Sequence, residues 1–179
     1  MALPSPVELF ALNLSVLQVY GLFFLLGSFA VASLSDLKHM AAQKEFMDVW
    51  LVFAGVMAAL DFWRAGFQPD PTLLLKWGLI LALSLLSWHR IGVVFRLARA
   101  DVAAMAAAAS LLQPGAIVLF WLLMKGLSLP LGRGLRKGDA YPFLPVVALA
   151  TVALLALAWW LAGAVLPPSP APAWVGRGL

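Results

Sequence analysis

The sequence contains no cysteine, and this absence removes several kinds of site at once. Disulfide bonds, thiolate zinc sites and a cysteine nucleophile are all excluded. Only two histidines are present, His39 and His89, so the sequence predicts no histidine-rich metal centre. Both lie in basic stretches and are interpreted as surface residues.

Charge is also scarce. Charged residues make up only 11% of the 179 residues, whereas hydrophobic residues make up 64%. The mean hydropathy is +0.97. A soluble domain of this length carries about a quarter charged residues. The composition is therefore typical of a multipass helical membrane protein with one compact bundle.

Six apolar segments, separated by polar or proline-containing stretches, predict an all-α membrane protein with about six transmembrane helices. The segments are 9–34, 47–63, 72–88, 101–112, 116–131 and 143–166. They form one predicted transmembrane domain over residues 1–166, and the proline-rich residues 167–179 are expected to be a disordered external tail. The fourth segment is short, since it rises only about 17 Å against a hydrocarbon core of about 30 Å.

The basic residues are distributed unevenly between the loops. Nine of the twelve Lys and Arg residues are assigned to the loops after the first, third and fifth segments. They are Lys38, Lys44, Arg90, Arg96, Arg99, Lys125, Arg133, Arg136 and Lys137. Because loops rich in Lys and Arg stay in the cytosol, this distribution predicts a plasma-membrane protein with both termini outside.

Two aspartates stand at the ends of apolar segments. Asp36 follows the first segment and Asp101 opens the fourth. A carboxylate beside hydrocarbon is costly unless it faces water or a partner, and such residues are usually functional. The predicted orientation places both on the cytosolic side. Two carboxylates that approach each other can act as general acid and general base on water, so both are candidate catalytic residues.

Simpler interpretations of the two aspartates remain open at this point. Asp36 could be solvated or neutralised by Lys38, and Asp101 could be the N-cap of a helix. Two other functional classes use the same residues. In a proton-coupled membrane transporter they would relay protons, and in a non-catalytic membrane subunit they would only cap helices or form pairs.

The other six acidic residues divide between the two predicted sides. Those on the cytosolic side are either loop charges or a surface for a basic partner: Glu45, Asp48 and Asp139. Those on the external side are interpreted as solvated or interfacial charges: Glu8, Asp61 and Asp70.

Short motifs at the ends of the apolar segments are similar to motifs of a known protein family. Asp36-Leu37-Lys38 closes the first segment, small residues precede Asp101, and Tyr141-Pro142-Phe143-Leu144-Pro145 opens the last segment. The stretch 44–48, Lys-Glu-Phe-Met-Asp, has a basic-acidic-apolar-x-polar pattern. Over about residues 10–165 the chain resembles the type IV prepilin and archaeal preflagellin peptidases, which are intramembrane aspartyl proteases of the GxGD class.

The resemblance implies a function and a site. It implies that Asp36 and Asp101 form a catalytic pair that activates water without a metal or cofactor. The substrate would be a pilin-like or archaellin-like precursor with a basic leader in the cytosol, and the partners would be this precursor and the lipid bilayer, with no nucleic acid. The candidates for binding the leader are Glu45, Asp48 and Asp139.

The chain departs from the GxGD pattern at both glycines, which are replaced by Ala98 and Ala100. Alanine keeps the position small but does not readily adopt a positive φ. We therefore expect the backbone before Asp101 to be extended or helical. The short form of the family, which lacks the cytosolic zinc-binding segment of the bacterial enzymes, fits a chain without cysteine.

Overall fold

The computed structural model describes residues 14–39, 44–68, 70–135 and 142–165. Within these residues the backbone forms six α-helices, which confirms the all-α prediction. We number them α1 Val16–His39, α2 Lys44–Arg64, α3 Pro71–Ser87, α4 Arg99–Ser110, α5 Pro114–Leu135 and α6 Leu144–Val165. Residues 9–13 of the first predicted segment, Asp139 and the proline-rich tail lie outside the described residues.

Four of these helices are long and apolar enough to cross a membrane. The qualifying stretches are Val16–Lys38, Lys44–Arg64, Pro114–Gly132 and Leu144–Leu161. The apolar helix α3 has 17 residues and α4 has only 12. Large apolar side chains such as Phe24, Leu81 and Leu122 are exposed on the outside of the bundle, where lipid would cover them. By length and composition the chain is a multi-pass membrane protein.

The short helix α4 lies at the centre of the bundle and packs against α1, α2, α3 and α6. Most of its residues are buried: Ala103, Ala104, Met105, Ala107, Ala108, Ala109 and Ser110. Because alanine side chains are small, the surrounding helices can approach α4 closely. At its end, Nε2 of Gln18 donates to the carbonyl oxygen of Leu111 at 2.6 Å, which gives a terminal carbonyl a partner from α1.

The loop between α3 and α4 folds back onto the bundle. A parallel backbone bridge joins Trp88 to Leu97, and the turn between them contains Gly92 at φ +61. The ring of Phe95 is buried and lies 5.1 Å from the ring of Phe143 in an edge-to-face arrangement. This contact fixes the start of α4 beside the start of α6.

Lys125 was wrongly assigned to a loop from the sequence. It lies inside α5 and not in the loop that follows it. Its Nζ donates to the carbonyl oxygen of Val94 at 2.9 Å and lies 4.9 Å from the centroid of the Phe95 ring. The long lysine side chain therefore reaches the α3–α4 loop from within a helix, which a count of loop residues does not anticipate.

Two helix boundaries differ from the predicted ones near the aspartates. Helix α1 continues to His39, so Asp36 lies in the final turn of the helix and not beyond it. Helix α4 begins at Arg99, and its N-cap is Ala98, so the interpretation of Asp101 as the N-cap is wrong. Ala98 is extended, at φ −68 and ψ 163, as the replacement of glycine by alanine predicts.

Candidate functional site

Asp36 lies on α1 and is held by the start of α6. Its side chain is only 7% exposed. Its Oδ2 accepts a hydrogen bond from the backbone N–H of Leu144 at 3.3 Å, and the backbone of Phe143 supplies a second one. The first N–H groups of a helix have no partner within the helix and favour a negative charge. The Asp36 carboxylate therefore caps the start of α6, although Asp36 and Leu144 are 108 positions apart in the sequence.

Asp101 is the third residue of α4 and is half-buried. Its Oδ2 accepts a hydrogen bond from the backbone N–H of Ala98 at 3.3 Å. An acidic side chain that reaches back in this way satisfies one of the unpaired donors at the start of a helix. The contact also explains why the helix begins two residues before Asp101.

The structure brings these two carboxylates together. Helices α1, α4 and α6 contact one another pairwise. The end of α1, the start of α4 and the start of α6 meet at one end of the bundle, and this places Asp36 near enough to Asp101 for their charges to interact. Two acidic side chains from separate helices thus share one partly buried site.

Ser33 is a polar residue at this site that the sequence reasoning missed. It lies one turn before Asp36 on the same face of α1 and is 7% exposed. Its Oγ has no hydrogen-bond partner among the described residues. The same holds for Oγ of Ser84 on α3. Four other hydroxyls in the bundle donate to carbonyls of their own helix: Ser28, Ser110, Ser128 and Thr151. In the sequence, Ser33 stands three residues before Asp36, and in a helix this spacing places both side chains on the same face.

The other candidate residues whose side chains the structure describes are exposed. Glu45 and Asp48 lie at the start of α2 with exposed side chains. Lys38 is exposed and forms no ion pair with Asp36, so the interpretation in which Lys38 neutralises this carboxylate is wrong. His89 is exposed, as predicted. Asp139 and the side chain of His39 lie outside the described residues.

Asp61 differs from the sequence interpretation. The sequence predicts a solvated or interfacial charge without a partner, but Oδ2 of Asp61 lies 2.6 Å from Nζ of Lys76, and the two side chains are 18% and 12% exposed. Nε1 of Trp77 donates to the same oxygen at 3.2 Å. The pairing depends on how α2 faces α3, which the charge pattern does not reveal. Asp70 is exposed and caps α3 by accepting the N–H of Thr72.

Comparison of the chain with protein-family models, curated proteins and solved structures finds no match. Within the described residues, no group of three His, Asp or Glu side chains could hold a metal ion. The chemical interpretation of the site therefore depends on the two carboxylates and their surroundings.

Proposed function

We propose that the protein is a membrane aspartyl endopeptidase in which Asp36 and Asp101 act on one water molecule. The observation that carries this proposal is the meeting of two carboxylates from α1 and α4 in a partly buried site. Their positions are also those of the two aspartates in the prepilin and preflagellin peptidase motifs. Acidic side chains inside a membrane bundle are costly, so a pair of them at one site favours a chemical role.

The mechanism assigns a different role to each aspartate. Two neighbouring carboxylates do not both ionise easily, so the pair holds one proton. Asp36 accepts two backbone N–H groups at the start of α6, so we assign the negative charge to Asp36 and the proton to Asp101. Asp36 removes a proton from water while the water oxygen attacks the scissile carbonyl carbon.

Asp101 gives its proton to the carbonyl oxygen as the C–O bond becomes single. The resulting gem-diol collapses when the C–N bond breaks, and the amine leaving group takes the proton that Asp36 had received. Asp101 recovers its proton from the gem-diol. The products are a carboxylic acid and an amine. The pair Asp36 and Asp101, called the dyad below, returns to its starting protonation state.

The proposed substrate is a pilin-like or archaellin-like precursor. Its apolar helix would lie among helices that cross the plasma membrane, with both termini of the enzyme outside. Its basic leader would remain on the cytosolic side, next to the dyad. Glu45 and Asp48 are exposed at the start of α2 and would attract this leader, and Asp139 would contribute in the same way.

The test is cleavage of a precursor with a short Lys/Arg leader and an apolar helix, co-expressed in membranes. Asp36→Asn and Asp101→Asn should each lower the cleavage rate by about 10²–10⁴-fold, since an amide does not transfer the proton. Asp70→Asn is the matched control, because Asp70 also receives an N–H at a helix start but lies away from the dyad. Near-normal cleavage by either dyad variant would contradict the proposal.

A non-catalytic membrane subunit is the second candidate, and one observation favours it. Asp36 and Asp101 each accept backbone N–H groups at the start of a helix, which is a structural task in itself. In that case the two Asn variants would change only the assembly or stability of the bundle, and no variant would change the cleavage of any precursor. Asp70→Asn would leave stability nearly unchanged, because Asn caps a helix about as well as Asp.

A further inference from the structure

An apolar groove of about 590 Å³ lies between α2 and α3, with α4 as its floor. It forms because α2 and α3 both pack against α4 and make few contacts with each other. Small-molecule sites commonly have volumes of about 300–1,000 Å³. The α4 residues that line the groove are Val102, Ala103 and Ala106, and Asp101 does not line it. The groove is therefore separate from the candidate dyad.

The groove opens sideways onto the outside of the bundle. Leu51 of α2 and Leu81 and Leu85 of α3 line it, and each is more than half exposed. In a membrane these side chains face acyl chains. An occupant therefore enters from the lipid and not from water.

The length of the groove limits what can fill it. Along α3 it extends from Trp77 to Trp88, which is about 16 Å at roughly 1.5 Å per residue. Trp77 donates to Asp61 at the closed end, where the Asp61–Lys76 ion pair joins α2 to α3. A span of this length is about half of the roughly 30 Å hydrocarbon core, so it suits a chain from one leaflet and is too short for a transmembrane helix.

A positively charged residue at the other end of the groove favours a lipid with an anionic headgroup. Among the residues that the structure describes, Arg99 is the one charged residue that lines the groove, and its side chain is exposed. No carboxylate in the described part of the chain pairs with it. A guanidinium group binds a phosphate through paired hydrogen bonds. The same cation repels the basic leader of the proposed substrate.

We propose that this groove binds one anionic phospholipid, with an acyl chain between α2 and α3 and its phosphate on Arg99. This lipid site lies on the face of α4 away from the dyad and does not depend on the peptidase proposal. It predicts that the purified protein retains phosphatidylglycerol in preference to phosphatidylcholine.

The experiment measures lipid binding by native mass spectrometry of the full chain, titrated with phosphatidylglycerol or phosphatidylcholine. Phosphatidylglycerol should bind more tightly, and Arg99→Gln should weaken its binding about fivefold, to the level of phosphatidylcholine. Arg99→Lys should retain most of the preference. Arg96→Gln is the charge control, because Arg96 is exposed in the loop just before α4 but does not line the groove.

A second pair of variants tests the acyl-chain position. A Cβ atom added at Gly55 or at Gly78 would meet no other atom within 4 Å, and only Gly55 lines the groove. Gly55→Leu should fill the groove and weaken binding of the lipid, whereas Gly78→Leu should not. Equal affinity for both lipids, or unchanged affinity in Arg99→Gln and Gly55→Leu, would overturn the proposal, and neither result bears on precursor cleavage.

Discussion

Single residues give the candidate site its polar character. Asp36 is nearly buried, yet its partners in the described structure are backbone N–H groups and not a cation. Asp101 has a single backbone donor, from Ala98. Neither carboxylate forms an ion pair with a Lys or Arg among the described residues, and the proposed mechanism, in which the pair shares one proton, requires this.

Ser33 gives a prediction at this scale. Its Oγ has no partner among the described residues, so Ser33→Ala should leave the free energy of unfolding unchanged or raise it by up to about 1 kcal/mol. Because Ser33 lies one turn from Asp36, we expect cleavage to fall, through loss of a hydrogen bond to the catalytic water. Detergent unfolding and cleavage of the same preparation measure both effects.

Ser28→Ala is the matched control for this prediction. Oγ of Ser28 accepts the indole N–H of Trp50 at 2.9 Å, and Trp50 is fully buried. Removal of the hydroxyl leaves that N–H without a partner and should cost about 1–3 kcal/mol of stability while cleavage by the folded protein is retained. A stability loss in Ser33→Ala as large as in Ser28→Ala would show that Ser33 has an unseen structural partner.

At the scale of the elements, α4 organises the bundle and the Asp61–Lys76 pair joins two of its neighbours. Helices α2 and α3 both pack on α4, with a groove between them along much of their length. The ion pair and the Trp77 hydrogen bond close this groove at one end. The pair is thus a polar connection between two helices that otherwise share few contacts.

Removal of one partner of the Asp61–Lys76 ion pair should lower the free energy of unfolding. Lys76→Gln leaves the Asp61 carboxylate largely buried without its cation, and we expect a loss of about 2 kcal/mol, below the roughly 3–5 kcal/mol of fully buried pairs. The double variant Asp61→Asn/Lys76→Gln should lose less than the sum of the two single variants. Unfolding titrations measure all three, and additive losses would show that the two groups do not interact.

At the scale of the whole molecule, the predicted orientation of the bundle would place Asp36 and Asp101 on the cytosolic side of the membrane. The chain has no cysteine, so single cysteines report topology without background labelling. Gln68, between α2 and α3, and His89, between α3 and α4, are both exposed. Gln68→Cys should react with a membrane-impermeant maleimide in intact cells, and His89→Cys only after permeabilisation. The reverse pattern would place the dyad outside.

The sequence was sufficient for some features because they depend on local composition. Apolar runs and their breakers predicted the six helices, and the short fourth segment predicted that α4 is short. The loop charges also placed Asp36 and Asp101 at the same end. These features need no knowledge of which helix neighbours which.

Other features depend on packing between distant residues and were not predicted. The N–H groups that hold Asp36 belong to residues more than 100 positions away, at the start of α6. The pairing of Asp61 with Lys76 depends on the rotation of α2 relative to α3. The apolar pattern of the sequence does not predict that α1 continues past residue 34, because residues 35–39 are mainly polar.

The central claim is that Asp36 and Asp101 perform one chemical task together. The most direct measurement compares precursor cleavage by Asp36→Asn, Asp101→Asn and the double variant, each confirmed to be folded. Residues that act as a unit give non-additive losses, so the double variant should be no slower than the slower single variant. Losses that multiply in the double variant, or substantial cleavage in any of the three, would contradict a shared water between these two carboxylates.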